Sequence, residues 1–455
     1  MSDTAAALGT RPIGRLLWHT CSQTTLSVGI YGVYALTNAW FVARGVNETA
    51  LAAVNLVAPI LLLLGAVSTT VGVGGASLVS RSLGAGRPDE AGRAAGNSFI
   101  VFWAVALLVT VAGLFAVDPI LSALGASGST LEYARPYAMV LMVGAVFSTG
   151  FSAIVRAEGR LYFSTLLWVI PVIVQIVLDP LFIFGFGMGV TGAALGTVCG
   201  QAVSAGMAVW FFFIQPRRPY RIGFAQLRPD RGTIGAVLTV GAPSFLAGLG
   251  ATVLLVLVNA HLAQSAALAA GVGLAAFAVC ARIQTFVIMP QLGITQGTQP
   301  VIGYNAGRGS TARVLRARTL ALRATVLYGL ATGVVVMVCA PALVGLFVSD
   351  SQVVDTAVLA LRILSIGFVF SGVPPLVSAY FQALGRAAPS YLISIGTLLA
   401  IKIPLVLIFG AWGPVAIWVS LALGEALAAG AAILVLWRHH SGRAVAVSNM
   451  NGSAR

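Results

Sequence analysis

The sequence predicts an all-α integral membrane protein: twelve transmembrane helices in two six-helix bundles related by a pseudo-two-fold axis along the membrane normal. Three observations predict it. Only 8% of the 455 residues are charged while 58% are hydrophobic, about a third of the charge that a soluble chain carries. The apolar residues fall into blocks of about 20, the length that crosses a hydrocarbon core as helix. Finally, the order of motifs in the first half of the chain recurs in the second.

Taken in order, the predicted spans cover 17–43, 50–78, 96–117, 132–155, 163–186 and 190–214, then 235–261, 270–296, 316–340, 355–381, 388–409 and 412–437. This divides the chain into an N-terminal lobe (1–214), a connector (215–232), a C-terminal lobe (233–437) and a tail (438–455). An even number of spans places both termini on one side. The arginines choose that side: Arg11, Arg15, Arg81, Arg87, Arg93, Arg156, Arg160, Arg217, Arg218, Arg221, Arg228, Arg231, Arg308 to Arg323, Arg386 and the tail from Arg438 all fall in one set of loops. The opposite loops hold only Arg44, Arg135 and Arg362. The positive-inside rule then makes both termini cytoplasmic. An Ala/Gly/Arg-rich, lysine-poor composition suggests a bacterial chain, and hence a multi-pass protein of the inner (plasma) membrane.

Several function classes are excluded. The 26 basic residues against 12 acidic ones are dispersed over alternate loops, which is a topological signal and no nucleic-acid surface. A Walker A motif is absent, so ATP does not drive this chain directly. The four histidines, His19, His261, His439 and His440, sit near span ends and form no catalytic pairing, which argues against an enzyme. Cys21, Cys199, Cys280 and Cys339 lie within predicted spans with no metal spacing and are read as buried free thiols. No cofactor is expected, and nothing calls for a partner subunit, so a monomer is expected in the lipid bilayer.

The internal repeat is specific. Asp179-Pro180 and Gln201 recur as Ile403-Pro404 and Glu425, both offset by 224 residues. Leu51-Ala-Ala-Val recurs as Leu274-Ala-Ala-Phe, offset by 223, and Ala85-Gly-Arg87 as Ala306-Gly-Arg308, offset by 221. Because six helices return the chain to the side it left, the two halves are parallel repeats about an axis along the membrane normal. Such duplication is typical of secondary transporters whose halves rock about a central site. A channel, or a duplication kept only for packing, is the competing reading.

Two carboxylates lie deep in predicted spans, Asp179 and Glu425. Charge within a bilayer costs several kcal/mol, about 2.5 or more per residue, so such groups face protein or water and usually have a role. For Asp179 the competing role is a cap, since Asp-Pro is also a helix-restart signature. Gln175 lies four residues before it on the same helical face, and Thr197 and Gln201 share a face of the next span. In the first span Thr20, Gln23, Ser27, Tyr31, Tyr34 and Asn38 step by three or four residues and form one polar face. That face is expected to line an N-lobe cavity, with interhelical hydrogen bonding as the alternative; aromatic rings there would suit flat organic cations. Lys402, the single lysine, either pairs with Glu425 as a structural bridge or forms an anion-sensitive cavity wall. Arg282 is given a structural role and His19 an interfacial one. Pro59, Pro171, Pro290, Pro374 and Pro375 lie inside spans and permit kinks.

Four runs carry a resemblance to a known family: ALAAVNLVAPI at 50–60, GVGGASLVSRSLGAGR at 72–87, DPLFIFGFGMGVTGAA at 179–194 and QPVIGYNAGR at 299–308. In this order, within a duplicated twelve-span chain, they resemble the MATE (multidrug and toxic compound extrusion) family of the MOP flippase superfamily over roughly residues 20–430. The resemblance implies a secondary active antiporter that exports small organic, cationic or amphipathic compounds in exchange for H+ or Na+. A flippase for a lipid-linked saccharide or cell-wall precursor, as elsewhere in the superfamily, is the alternative. It also implies an N-lobe cation site at Asn38, Gln175, Asp179 and Thr197. Asp179 and Thr197 keep the family's residue types, whereas Asn38 replaces an Asp and Gln175 an Asn. One carboxylate in place of two suits a proton better than Na+. The seventh and tenth spans carry no acid in their interiors, which resembles the DinF-like branch.

Overall fold

The computed structural model describes residues 3–147, 150–216, 218–263 and 271–452, and among these every regular element is a helix. The long helices are numbered here α1 (Ile13–Gly45), α2 (Glu48–Gly84), α3 (Pro88–Phe115), α4 (Gly128–Ala157), α5 (Leu161–Gly185) and α6 (Gly189–Ile214) in the first lobe. The second lobe holds α7 (Arg231–Ala263), α8 (Val272–Gly307), α9 (Thr311–Gly345), α10 (Ser351–Ala383), α11 (Ala387–Gly410) and α12 (Pro414–His439). Helices α2 to α12 are each long and apolar enough to cross a membrane, and α1, at 33 residues, matches them in length. Each coincides with a predicted span and overruns it at one end or both, because helices continue past the hydrocarbon edge into polar flanks; α3, α5, α8 and α12 stop one or two residues short at the other end. Helix continues beyond α12 to Gly452, where the sequence suggested a separate tail. Two short helices, Asp3–Thr10 and Val117–Ala123, were not foreseen; both are too short for a periodic signal.

Each lobe repeats the other's backbone. Helix α2 ends at Gly84 and α8 at Gly307, and the left-handed turn residues that follow are Gly86 (φ 73°) and Gly309 (φ 76°). The structural offset at this turn is thus 223, which corrects the 221-residue match of Ala85-Gly-Arg87 with Ala306-Gly-Arg308. Only glycine adopts this φ without strain, so the turn, not the motif letters, sets the register. The interior prolines act unequally. Helices α2, α5 and α8 run unbroken across Pro59, Pro171 and Pro290, while α10 breaks at Gly372 just ahead of Pro374 and Pro375. Turns of π-helix follow Pro180 (Leu181–Gly185) and precede Pro404 (Leu398–Lys402).

The lobes meet through α1 against α8 and α2 against α7, pairs that a two-fold axis interchanges. At these crossings glycines let backbones touch. A methyl on Gly74 would collide with the Val237 carbonyl, and one on Gly241 with the Thr70 carbonyl. On the other side, methyls on Gly297 and Gly293 would meet Cys21 and Thr25. Positions 70 and 74 map to 293 and 297, and 21 and 25 to 237 and 241, so these contacts form two symmetry-related sets. Nearer the arginine-rich end, Gly84 abuts the Tyr304 carbonyl and Gly307 the Arg81 carbonyl, again reciprocally. Lipid offers no hydrophobic gain for helix association, so such close packing at small residues is what joins them.

The connector between the lobes is packed onto the first lobe. Buried Glu158 pairs with Arg218 and accepts from the Tyr220 hydroxyl. The Arg218 guanidinium lies over the rings of Phe212 (4.6 Å) and Tyr220 (4.4 Å). Burial, and then the Glu158 charge, push the Tyr220 phenol well above its ordinary range. The Asn97 amide donates to the carbonyls of Gln226 and Arg228 and accepts from the Asp230 N–H at 2.8 Å. Of the cysteines only Cys280 is fully buried; Cys21 and Cys199 are partly so, and Cys339 is exposed on α9. A free thiol is apolar enough to face lipid, so the expectation of uniform burial fails there.

These contacts predict a measurable closure. In a cysteine-free background, a cysteine at buried Ser80 should react slowly with a water-soluble maleimide. Gly307→Leu should raise that rate several-fold by wedging the lobes apart; an unchanged rate would show that the glycine contact does not seal this face.

Candidate functional site

Between the lobes lies a cavity of about 1100 Å3. Its walls come from α2, α4, α5 and α6 on one side and from α7, α8, α10, α11 and α12 on the other. The lining is mostly apolar, with Phe147, Trp168, Phe277 and Phe368 among it. Toward the arginine-rich end it stops at a polar floor. There Gln382 Nε2 donates to Ser244 Oγ (2.9 Å), Gln299 Nε2 donates to Gln382 Oε1 (3.2 Å), and the Ser77 hydroxyl donates to the Gln382 carbonyl (2.5 Å). Beneath this floor sit the reciprocal glycine contacts. The cavity therefore belongs to the half of the molecule away from the arginine-rich loops.

One wall backs onto the N-lobe cluster. Asp179 Oδ2 accepts from Asn38 Nδ2 (3.3 Å) and from Gln175 Nε2 (3.2 Å). Gln175 Nε2 also donates to Thr197 Oγ1 (3.1 Å), which donates in turn to the Ala193 carbonyl (3.0 Å). Three helices, α1, α5 and α6, thus converge on one carboxylate. Asp179 is 1% exposed, while Gln175 and Thr197 line the cavity, so the acid lies one side chain behind the wall. The carboxylate accepts from side-chain amides and caps no helix; α5 continues past Pro180 as a π-helical turn. Its other oxygen, Oδ1, has no hydrogen-bond partner among the described residues. It fits against Gly196, where an added methyl would collide with it.

The other sequence candidates fall into different places. Gln201 lines the cavity. So do Lys402 and Glu425, whose Nζ and Oε1 are 2.5 Å apart, each side chain 21% exposed. The polar face of α1 divides. Thr20, Ser27 and Asn38 are buried, Ser27 and Gln23 bond Thr165 of α5, and neighbouring Thr24 donates to the Gly293 carbonyl across the lobe boundary (2.6 Å). None of these is among the lining residues of the cavity. For them the face serves helix association, because a buried hydroxyl or amide in a membrane must bond to a neighbour. The side chains of Tyr31 and Tyr34 lie outside the described residues. His19 meets the Tyr162 hydroxyl at 3.2 Å, and Arg282 is exposed on α8.

Sequence reasoning missed Arg156, counted above as a loop arginine. It is 6% exposed, lines the cavity, and donates to Ser164 Oγ (3.2 Å) and Gln296 Oε1 (3.0 Å). Only the fold shows that α4 carries it inward. The glutamines of the floor were missed for the same reason, since Gln299 and Gln382 are far apart in sequence and each resembles a span-end polar residue.

Gly196 offers a test of the cluster. Gly196→Ala should leave the protein folded and membrane-inserted, because the colliding atom ends a side chain, but should displace the Asp179 carboxyl. Its effect on activity should approach that of removing the carboxylate; wild-type activity in this variant would show that the Oδ1 position has no role.

Comparison with known proteins agrees with this architecture. The MatE family model matches residues 24–181 and 244–408, one segment in each lobe. The chain is 26% identical over 443 residues to multidrug export protein MepA of Staphylococcus aureus (strain NCTC 8325 / PS 47), covering 94% of each. It is 28% identical over 412 residues to MepA of Staphylococcus haemolyticus (strain JCSC1435), covering 89% of each. A solved structure described as the outward-facing conformation of a multidrug resistance MATE family transporter of the MOP superfamily superposes with a TM-score of 0.90 at 26% identity, over 97% of this chain and 99% of that one. With the family model matched in both lobes and over most of the duplicated helices, the chain belongs to the MATE family of multi-pass membrane transporters.

Proposed function

We propose that the chain is a proton-coupled multidrug exporter that works as a monomer, both termini on the cytoplasmic side of a bacterial plasma membrane. The observation that carries this reading is Asp179: a single buried carboxylate with one unpartnered oxygen, linked through Gln175 and Thr197 to an apolar, aromatic cavity. The named relatives are multidrug export proteins, which favours drugs over lipid-linked precursors. Amphipathic organic compounds, cationic ones included, suit a cavity of this size and character.

The donor set favours H+ over Na+. A sodium ion needs several converging oxygens, yet Asn38 and Gln175 turn amide nitrogens toward Asp179, and Thr197 Oγ1 is already engaged. Only Asp179 Oδ1 is left to take a cation, and a proton requires no more. Coupling then follows by competition: proton and substrate stabilise different states of the N-lobe, and each weakens the other's binding. The cavity and the cluster are both complete within one chain, which supports a monomer.

Transport and labelling measurements check this reading. In proteoliposomes with separately imposed ΔpH and Na+ gradients, ΔpH alone should drive dye transport, and Asp179→Asn should abolish it while leaving the protein folded. Near wild-type transport by Asp179→Asn would reduce Asp179 to a structural residue. Asn38→Asp, which adds a second carboxylate, should introduce Na+ dependence. For topology, cysteines at Ser127 and Ser351 should be labelled by an impermeant thiol reagent in intact cells, and one at Ala225 should not; labelling at Ala225 would invert the orientation.

A further inference from the structure

The two lobes share a backbone but not a charge distribution. At the 224-residue offset, the N-lobe cluster Gln175, Asp179 and Thr197 maps onto Leu399, Ile403 and Leu421, which are all apolar. Conversely, the C-lobe charges Lys402 and Glu425 map onto Leu178 and Gln201. The N-lobe keeps its acid behind the wall. The C-lobe places an acid and a base on the cavity surface, 2.5 Å apart and each one-fifth exposed.

The surroundings hold this pair in place. Lys402 closes the π-helical turn Leu398–Lys402, whose extra residue advances the helix phase and turns the lysine toward α12. Gly424 lies against the Lys402 stem, where a methyl would sit 3.6 Å from Cγ, and Gly367 lies against Glu425, where one would sit 3.7 Å from Cγ. Both stems thus run within ordinary contact distance of these small residues, and the charged ends meet at the cavity. The third charged residue of the wall, Arg156, is 6% exposed and bonded to Ser164 and Gln296.

We propose that Lys402 and Glu425 form a substrate-recognition site for zwitterions, organic solutes carrying both a cationic group and a carboxylate. This deepens the proposed function and rests on it for the cavity being the substrate compartment. The ligand's carboxylate takes the Lys402 ammonium and its cationic group takes the Glu425 carboxylate, so each protein charge exchanges one partner for another. No charge is left alone. A simple monocation fares worse, because reaching Glu425 displaces Lys402 and leaves an unpaired ammonium beside a second cation. A simple anion meets the mirror problem at Glu425. The closed pair therefore discriminates by the cost imposed on ligands that satisfy only half of it.

A matched pair of dyes tests this. Rhodamine 110 bears a free carboxylate on a cationic ring system, and rhodamine 123 is its methyl ester, a monocation of nearly the same shape. Fluorescence anisotropy with the purified full-length protein in detergent should show rhodamine 110 bound about tenfold more tightly, equivalent to about 1.4 kcal/mol. Lys402→Met, which leaves Glu425 alone, should reverse the order. The double variant Lys402→Met/Glu425→Gln leaves no unpaired charge and should bind both dyes equally; its monodispersity on gel filtration shows that it is folded. Equal binding of the dyes by wild type, or wild-type preference in the double variant, overturns the proposal. Equilibrium binding needs no gradient, so its outcome is independent of whether Asp179 couples transport to protons. A protein that discriminates the dyes yet ignores ΔpH loses the coupling reading alone, and one that responds to ΔpH without discriminating loses only this one.

Discussion

Backbone contact across the pseudo-two-fold axis is the interaction on which the other features rest. Gly74 and Gly241 bring α2 onto α7, Gly293 and Gly297 bring α8 onto α1, and Gly84 and Gly307, nearer the arginine-rich loops, bring α2 onto α8. Within lipid, where apolar surface gains nothing by leaving its surroundings, packing and interhelical hydrogen bonds must do this work. All of these contacts lie toward one end of the helices. The lobes are consequently closed there, and the volume between their other ends becomes the cavity. Ser77, Ser244, Gln299 and Gln382 finish the closure, each polar group bonded to another.

Duplication supplied a symmetric frame that the two lobes then filled with different chemistry. In the first, α1, α5 and α6 converge on Asp179, whose Oδ1 rests against Gly196. In the second, the corresponding positions are apolar, and the charged residues are Lys402, one residue before the equivalent of Asp179, and Glu425, the equivalent of Gln201. Under the proposed reading, separating a buried acid from a partly exposed ion pair gives the ion and the solute distinct places to act. Coupling between such sites requires only that each ligand prefer a different arrangement of the lobes.

Much of this was legible in the sequence, for a physical reason: the bilayer imposes a length and an apolar composition on every span, and an arginine bias on alternate loops. All twelve spans, the parallel repeat and the i,i+4 relation of Gln175 to Asp179 follow from such local rules. Other features were not legible. Arg156 scored as a loop residue, because its inward position depends on where α4 ends relative to α8. The face of α1 was expected to line a cavity, yet Thr20, Ser27 and Asn38 bond or pack against neighbouring helices; periodicity shows that a face is polar, not what it meets. Cys339 was expected to be buried and faces outward, since hydropathy does not separate protein-facing from lipid-facing sides. The repeat register near residue 86 needed the left-handed glycines to settle it.

By itself the sequence determined the membrane-length helices, the duplication, and the two carboxylates that lie deep in spans, Asp179 and Glu425, because each of these follows from local composition and spacing. The tertiary structure alone decided that Asp179 leaves one oxygen open against Gly196, that Lys402 reaches Glu425 at the cavity surface, and that glycine contacts close one end. These depend on the phase and crossing of helices distant in the chain, down to a single π-helical turn, and no periodicity within one span encodes them.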